Sequence, residues 1–499
     1  MREYVRINKN DNVAVALCDL EKGRRITFDD MSVTLCEDVA GGHKFAIKEI
    51  KKAEPVIKYG YPIGFPTGDI KVGAHVHVHN IKTGLGDDVS YTYNPINAES
   101  GDADTNLKLP QTFNGYVRKD GRVGIRNELY VIPTVGCVNS IAKAIADAGQ
   151  HAQYKGVDAV VAFTHPYGCS QMGDDQENSR EALASLIHHP NAGGVLVLGL
   201  GCENSNIAVL KEYIGDYDPE RIRFLQCQDV EDEVEEGIKL INELASCMQG
   251  DTRTPVSVDK LIIGLKCGGS DGLSGITANP VVGAFSDILT GMGGSTILTE
   301  VPEMFGAETI LMDRAVNQTI FEKIVKMIND FKNYYRFHNQ TIYENPSPGN
   351  KKGGISTLED KALGCTQKSG SSPVVDVLDY AKRLEKKGLN LLYAPGNDLV
   401  ASTALALSGA QLVLFTTGRG TPFATVVPTV KISTNTALYE KKKQWIDFDC
   451  GQLLNESVTL ENLAADLYNY VIRIANGELV KSEQDGYRDL AIFKQGVTL

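Results

Sequence analysis

The sequence has no run approaching the roughly 20 consecutive apolar residues that cross a bilayer. Its first residues, MREYVRINKNDNVAVALCDL, lack the apolar core and small-residue cleavage site of a secretory signal. These absences predict a cytoplasmic protein with no membrane partner. Positive charge is scarce: 50 Lys and Arg face 63 Asp and Glu, a net charge of −13. Neither nucleic acid nor an anionic membrane is therefore expected as the main partner, although a local basic pocket for an acidic small molecule stays open. Ten cysteines over 499 residues are too dispersed for a disulfide framework. In a reducing compartment they read as thiols or metal ligands. Neither GxGxxG nor a phosphate-binding GxxxxGKS/T occurs in the required context, so no dinucleotide or nucleoside triphosphate site of those kinds is expected. Low-complexity tracts and short-period repeats are absent as well.

What is present is a folded composition, 42% apolar and 23% charged, on a chain too long for one ordinary core. Up to about residue 90 the runs are short and alternating (VRINK, NVAVAL, RITF, SVTLCEDV, FAIKEI, HVHVHN), which predicts a small all-β domain over 1–92. The polar, aperiodic stretch that follows reads as a linker, 93–110. Apolar runs then alternate with Gly-containing turns and helical patterns, in two series: from ELYVIPTVGCVN onward, and from KLIIGLKCGGSDG to QLVLFTTGRGTP. This texture predicts two α/β domains with largely parallel sheets, 111–250 and 256–499, meeting near ASCMQGDTRTPVSVD.

Four features carry chemistry. In GAHVHVHN an extended strand would place His75, His77 and His79 on one face and Val76 and Val78 on the other. Such a face is either polar and solvated or able to converge on a metal ion or an anionic ligand. Cys137, Cys169, Cys202 and Cys267 each fall at or just after the end of a buried run, where open α/β sheets bind ligands. Buried small hydrophobes and site-lining thiolates both satisfy that placement. The turns CGGSDGLSG, PSPGNKKGG and TGRGTP, with Lys351, Lys352 and Arg419 beside them, are either tight connections or backbone cradles for a carboxylate. Arg118, Arg122 and Arg126 flank a DG turn as an exposed basic face or as carboxylate forks.

The segments GHKFAIKEI, VIKYGYPIG, GAHVHVHN, YGCSQMGDD, GLGCEN, CGGSDGLSGITANP, LTEVPEMFGAE, ENPSPGNKKGGISTLEDKALGCTQKSGSS and FTTGRGTP together resemble the galactarate/altronate dehydratase family, from about residue 5 to the C-terminus. The resemblance implies an N-terminal β-clip domain of the SAF type, followed by two α/β domains. It implies a hydro-lyase of galacturonate breakdown that converts D-altronate to 2-dehydro-3-deoxy-D-gluconate, with Fe2+ or Mn2+ as cofactor. Galactarate dehydratases differ where this chain has HVHVHN, which favours altronate. A sibling lyase acting on galactarate or sulfolactate, and a carbohydrate-binding protein without turnover, are the alternatives, and self-association stays open.

Dehydration next to a carboxylate needs a Lewis acid, a carboxylate grip and proton transfer. Among the residues that offer these parts, His75, His77 and His79 are the candidate metal ligands. Arg126, Asn350, Lys351 and Arg419 are candidates for the substrate carboxylate, His165 or Lys368 for proton transfer, and Asp271 and Glu203 for the metal or the leaving group. The second possibility is a [4Fe–4S] cluster held by Cys169, Cys202 and Cys267, which sequence spacing does not itself support.

Overall fold

The N-terminal runs become short antiparallel strands: Arg25–Phe28 alternates between exposed and buried residues, whereas Val13–Ala16 and Lys44–Ala46 are buried throughout. In the computed structural model, which describes residues 2–28, 31–86, 90–96 and 108–496, Tyr4–Val5, Val13–Ala16, Lys44–Ala46 and His75–Val76 form one four-stranded sheet in that order. Three two-stranded ribbons complete this part. Most of the expected linker, 97–107, lies outside the described residues.

The HVHVHN strand is shorter than its alternation predicts. It ends at Val76, and residues 77–80 turn: the His77 N–H donates to Asn80 Oδ1 at 3.0 Å and Asn80 Nδ2 donates back to the His75 carbonyl at 2.8 Å. The asparagine side chain competes for the backbone groups that a ladder would use. Val76 is buried accordingly and Val78 is 47% exposed.

Beyond residue 110 the continuous apolar runs form parallel strands, as they must when helices cover both faces. The smaller sheet runs Val160–Ala162, Glu128–Pro133, Ala192–Gly199, Ile222–Gln226. The larger runs Val374–Leu378, Leu389–Leu392, Ser295–Leu298, Ile262–Cys267, Leu412–Thr417, Thr429–Ser433, Phe448–Asp449. All pairings in both are parallel. The segment expected to separate the two α/β parts does more than connect them: Thr254–Ser257 pairs antiparallel with Thr112–Val117.

The β part docks on the helix Leu358–Cys365 of the larger α/β part. Val13, Ala46, Ile50, Val56 and Ile63 pack in one apolar cluster with Ala307, Ala362 and Leu363, each large side chain contributing about 1.5–3 kcal/mol by leaving water. Polar contacts fix the register. Thr357 Oγ1 donates to the Ile63 carbonyl at 2.6 Å, and Gly84 N–H donates to Glu359 Oε1 at 2.7 Å. Beneath them Asp360 accepts from Lys44 at 2.8 Å and Lys58 at 3.0 Å, all three fully buried. Among the described residues no helix is long and apolar enough to cross a membrane.

Candidate active site

The three glycine-rich segments converge at the carboxyl end of the larger sheet. Adjacent parallel strands, Ile262–Cys267 and Leu412–Thr417, release their loops side by side, and the Gly418 N–H donates to the Gly269 carbonyl at 3.1 Å. The third segment is a short helix rather than a plain turn: Ser347 caps Pro348–Lys352, with reciprocal bonds to Asn350. Gly272 N–H donates to the Gly353 carbonyl at 2.7 Å. Into this junction the β part inserts residues 41–43. A Cβ on Gly272 would stand 1.9 Å from the Gly42 carbonyl oxygen, and one on Gly354 (φ +102°) 2.2 Å from it. Only glycine permits that approach.

The next residue, His43, completes a histidine cluster. Lys44 pairs with Val76 and Phe45 with His75, which carries His43 across to the imidazoles of the HVHVHN segment. His43 Nδ1 lies 3.0 Å from His75 Nε2, and its Nε2 lies 3.2 Å from the Lys352 carbonyl. Donor atoms of His43, His75 and His77 lie mutually within 4.8 Å. The His79 ring sits 5.4 Å from that of His75, exposed and outside this set. The sequence-expected trio is thus replaced by one in which His43 takes the place of His79. Burial, aided by positive neighbours, lowers His75 to about 4 and His77 to about 3, and burial lowers His43 also. All three are neutral at pH 7, the form that ligates metal. His77 Nδ1 is buried without a hydrogen-bond partner, an arrangement that costs free energy unless something binds there. A neutral three-imidazole set with one orphaned nitrogen fits a divalent transition ion such as Fe2+.

The remaining expected residues separate into two groups. Arg419 is exposed, its stem packed over Gly269, and Lys351 lies half-buried on the capped helix. Neither head group has an ion-pair partner among the described residues. Asp271 stands at the same junction, clamping it: one oxygen accepts from Ser274 Oγ and the Leu273 N–H, the other from Thr434 Oγ1 and Asn435 Nδ2. Asn350 is buried and bonded to Ser347, Lys361 and the Ser270 carbonyl, so it shapes the loop.

The others are placed elsewhere. Arg126 is buried, with a bidentate pair to Glu483 at 2.8 Å and bonds to three carbonyls, leaving no free fork. His165 is buried at the end of the smaller sheet with both ring nitrogens engaged, by the Pro133 carbonyl at 2.8 Å and the Tyr167 N–H at 3.2 Å. Burial lowers it to about 4. Glu203 accepts from Thr134 Oγ1 and the Leu200 and Gly201 N–H groups.

The cysteines expected to act as a trio do not form one ligand group. Cys169 and Cys202 are exposed at the smaller sheet, whereas Cys267 is buried at the larger. Cys267 Sγ instead lies 3.5 Å from Cys365 Sγ, and both thiols meet one oxygen of Glu303, at 3.0 and 3.1 Å. Lys361 holds the other Glu303 oxygen at 2.7 Å. Lys266 pairs with Glu300 and, at 2.9 Å, with Asp398. The hydrogen bond from Cys365 lowers the Cys267 thiol to about 6, against burial and Glu303. Lys368 lies buried beside this nest; burial opposes its charge, but Cys267, Cys365, Glu300 and Glu303 raise its pKa, so it stays protonated. His43, Glu303 and Cys365 escape sequence reading: His43 is a lone histidine after GG, and the other two sit in segments without a ligand spacing.

Three family descriptions match the chain: Altronate/galactarate dehydratase SAF domain over residues 2–84, D-galactarate dehydratase/Altronate hydrolase second domain over 115–249, and D-galactarate/Altronate dehydratase C-terminal over 258–498. The chain is 53% identical to altronate dehydratases of Bacillus subtilis (strain 168) and Escherichia coli (strain K12), with all of each chain covered. It is 31% identical to the galactarate dehydratase (L-threo-forming) of Escherichia coli (strain K12), over 98% of this chain and 96% of that one.

Proposed function

The chain belongs to the D-galactarate/altronate dehydratase family, and from that premise we propose that it is a hydro-lyase converting D-altronate to 2-dehydro-3-deoxy-D-gluconate and water. The observation that carries the reading is the meeting of the His43–His75–His77 set with the glycine-rich junction that bears Arg419 and Lys351.

The reaction removes the C2 proton beside a carboxylate and expels the 3-hydroxyl, and the resulting enol becomes the 2-keto acid. Its difficulty is the second negative charge that develops on the carboxylate side. His43, His75 and His77 would hold Fe2+ or Mn2+, which when bound would supply Lewis-acid stabilisation of the developing negative charge, worth several kcal/mol. Arg419 offers a planar fork and Lys351 a point charge, both without an ion-pair partner among the described residues, for the same carboxylate. His79, exposed next to His75 and outside the ligand set, is the imidazole with freedom to accept the C2 proton. Asp271 keeps the loops in register through its four hydrogen bonds. Backbone carbonyls packed against Gly272 and Gly354 narrow the junction. All ten cysteines are free, as suits the cytoplasm of the proposal.

Turnover of D-altronate, galactarate and (2R)-sulfolactate by the purified chain, followed as 2-keto acid or released sulfite, tests the reading. D-altronate as the preferred substrate supports it. Preference for either of the others makes the chain a sibling lyase, and no turnover of any leaves the carbohydrate-binding alternative.

A further inference from the structure

The two buried thiols are not needed for the chemistry just proposed, yet their arrangement is that of ligands. Cys267 ends the central strand of the larger sheet, and Cys365 ends the helix on which the β part docks. Two independent elements therefore deliver their sulfurs to one point, 3.5 Å apart and each about 3 Å from the same Glu303 oxygen. Around a tetrahedral ion with metal–sulfur bonds of about 2.3 Å, two thiolates stand somewhat under 4 Å apart. The pair is already near that separation without being bonded to each other.

We propose that Cys267, Cys365 and Glu303 form a second, structural metal site, distinct from the histidine cluster, that takes a thiophilic divalent ion of the Zn2+ or Fe2+ class. Glu300 is within reach as a fourth ligand, its Oε2 3.5 Å from Cys267 Sγ.

Ion pairs hold the carboxylates in place around the thiols: Lys361 on the far oxygen of Glu303, and Lys266 between Glu300 and Asp398. Softness selects the metal: two thiolates favour Zn2+ or Fe2+ over Mg2+ or Mn2+. A small cavity lined by Ser270, Asp271, Lys361 and Cys365 adjoins the Cys365 side of the pair. Bound there, the ion would pin the strand that carries the CGGSDG loop to the helix that carries the β part, so that both halves of the candidate active site share one fastening.

The test uses the full chain with Co2+ as the probe, since sulfur-to-cobalt charge transfer gives a near-ultraviolet band that imidazole ligation does not. His75→Ala should retain about one Co2+ per chain and the band. Cys365→Ser should lose the band while retaining Co2+ at the histidines. X-ray absorption on the His75→Ala chain should find sulfur at about 2.3 Å, a reading that needs no cysteine variant to fold. Absence of the band and of sulfur scatterers would overturn the site, as would a wild-type mass two hydrogens low with Cys267 and Cys365 in one cross-linked peptide, which would make the pair a disulfide.

Discussion

His43 and His77 stand with ring centroids 4.9 Å apart, because the pairing of Lys44 with Val76 sets the residues beside them opposite each other. A histidine from outside the HVHVHN motif thereby enters its ligand set, and His79, inside the motif, is left free.

That exchange separates two roles. His43→Ala should lower bound metal and kcat together. His79→Ala should keep the metal and lower kcat by about 10²–10⁴-fold. Metal analysis beside steady-state kinetics checks both, and metal loss on His79→Ala would return that residue to the ligand set.

Arg419→Lys keeps the charge and removes the fork. If Arg419 grips the substrate carboxylate, kcat/KM should fall about 10–100-fold, a loss of about 1.4–2.7 kcal/mol in transition-state binding. Wild-type kinetics would take Arg419 out of the site.

Gly272→Ala would press a methyl group against the Gly42 carbonyl. The β part and the glycine-rich junction must then separate, and turnover should fall more than about tenfold while far-UV circular dichroism stays unchanged. Full activity would show that the close approach is not required.

Asp360 sets an acid limit on docking. Burial alone would raise its pKa, but Lys44 and Lys58 hold it well below the ordinary 3.8. A depressed carboxylate contributes stability that is fully present above its unfolded value and lost as pH falls below it, so Tm should drop as pH goes below about 4. Asp360→Asn should weaken that dependence and, by leaving two buried lysines without their carboxylate, cost about 3–5 kcal/mol at neutral pH. Thermal melts across pH, on both chains, check the sign and the size.

Both parallel sheets are legible in the sequence because burial on two faces makes runs such as LIIGLKC and VLVLGLG continuous. The glycine-rich loops are legible too, since strand ends and glycine coincide. What escapes is long-range partnering. Arg126 reads as a carboxylate fork until Glu483, 357 residues away, occupies it. Cys267 reads as one of several strand-end thiols until a helix brings Cys365. The HVHVHN alternation is correct for His75 and His77, but the Asn80 side chain ends the strand locally, which a periodicity count does not register.

The most direct test of the account is metal and acid-labile sulfide per chain, measured on wild type and His77→Ala purified without oxygen, beside D-altronate turnover. Divalent metal without sulfide is expected in wild type, and a loss of about one equivalent together with turnover in His77→Ala. Sulfide at about four per chain, or metal and turnover unchanged in His77→Ala, would contradict it.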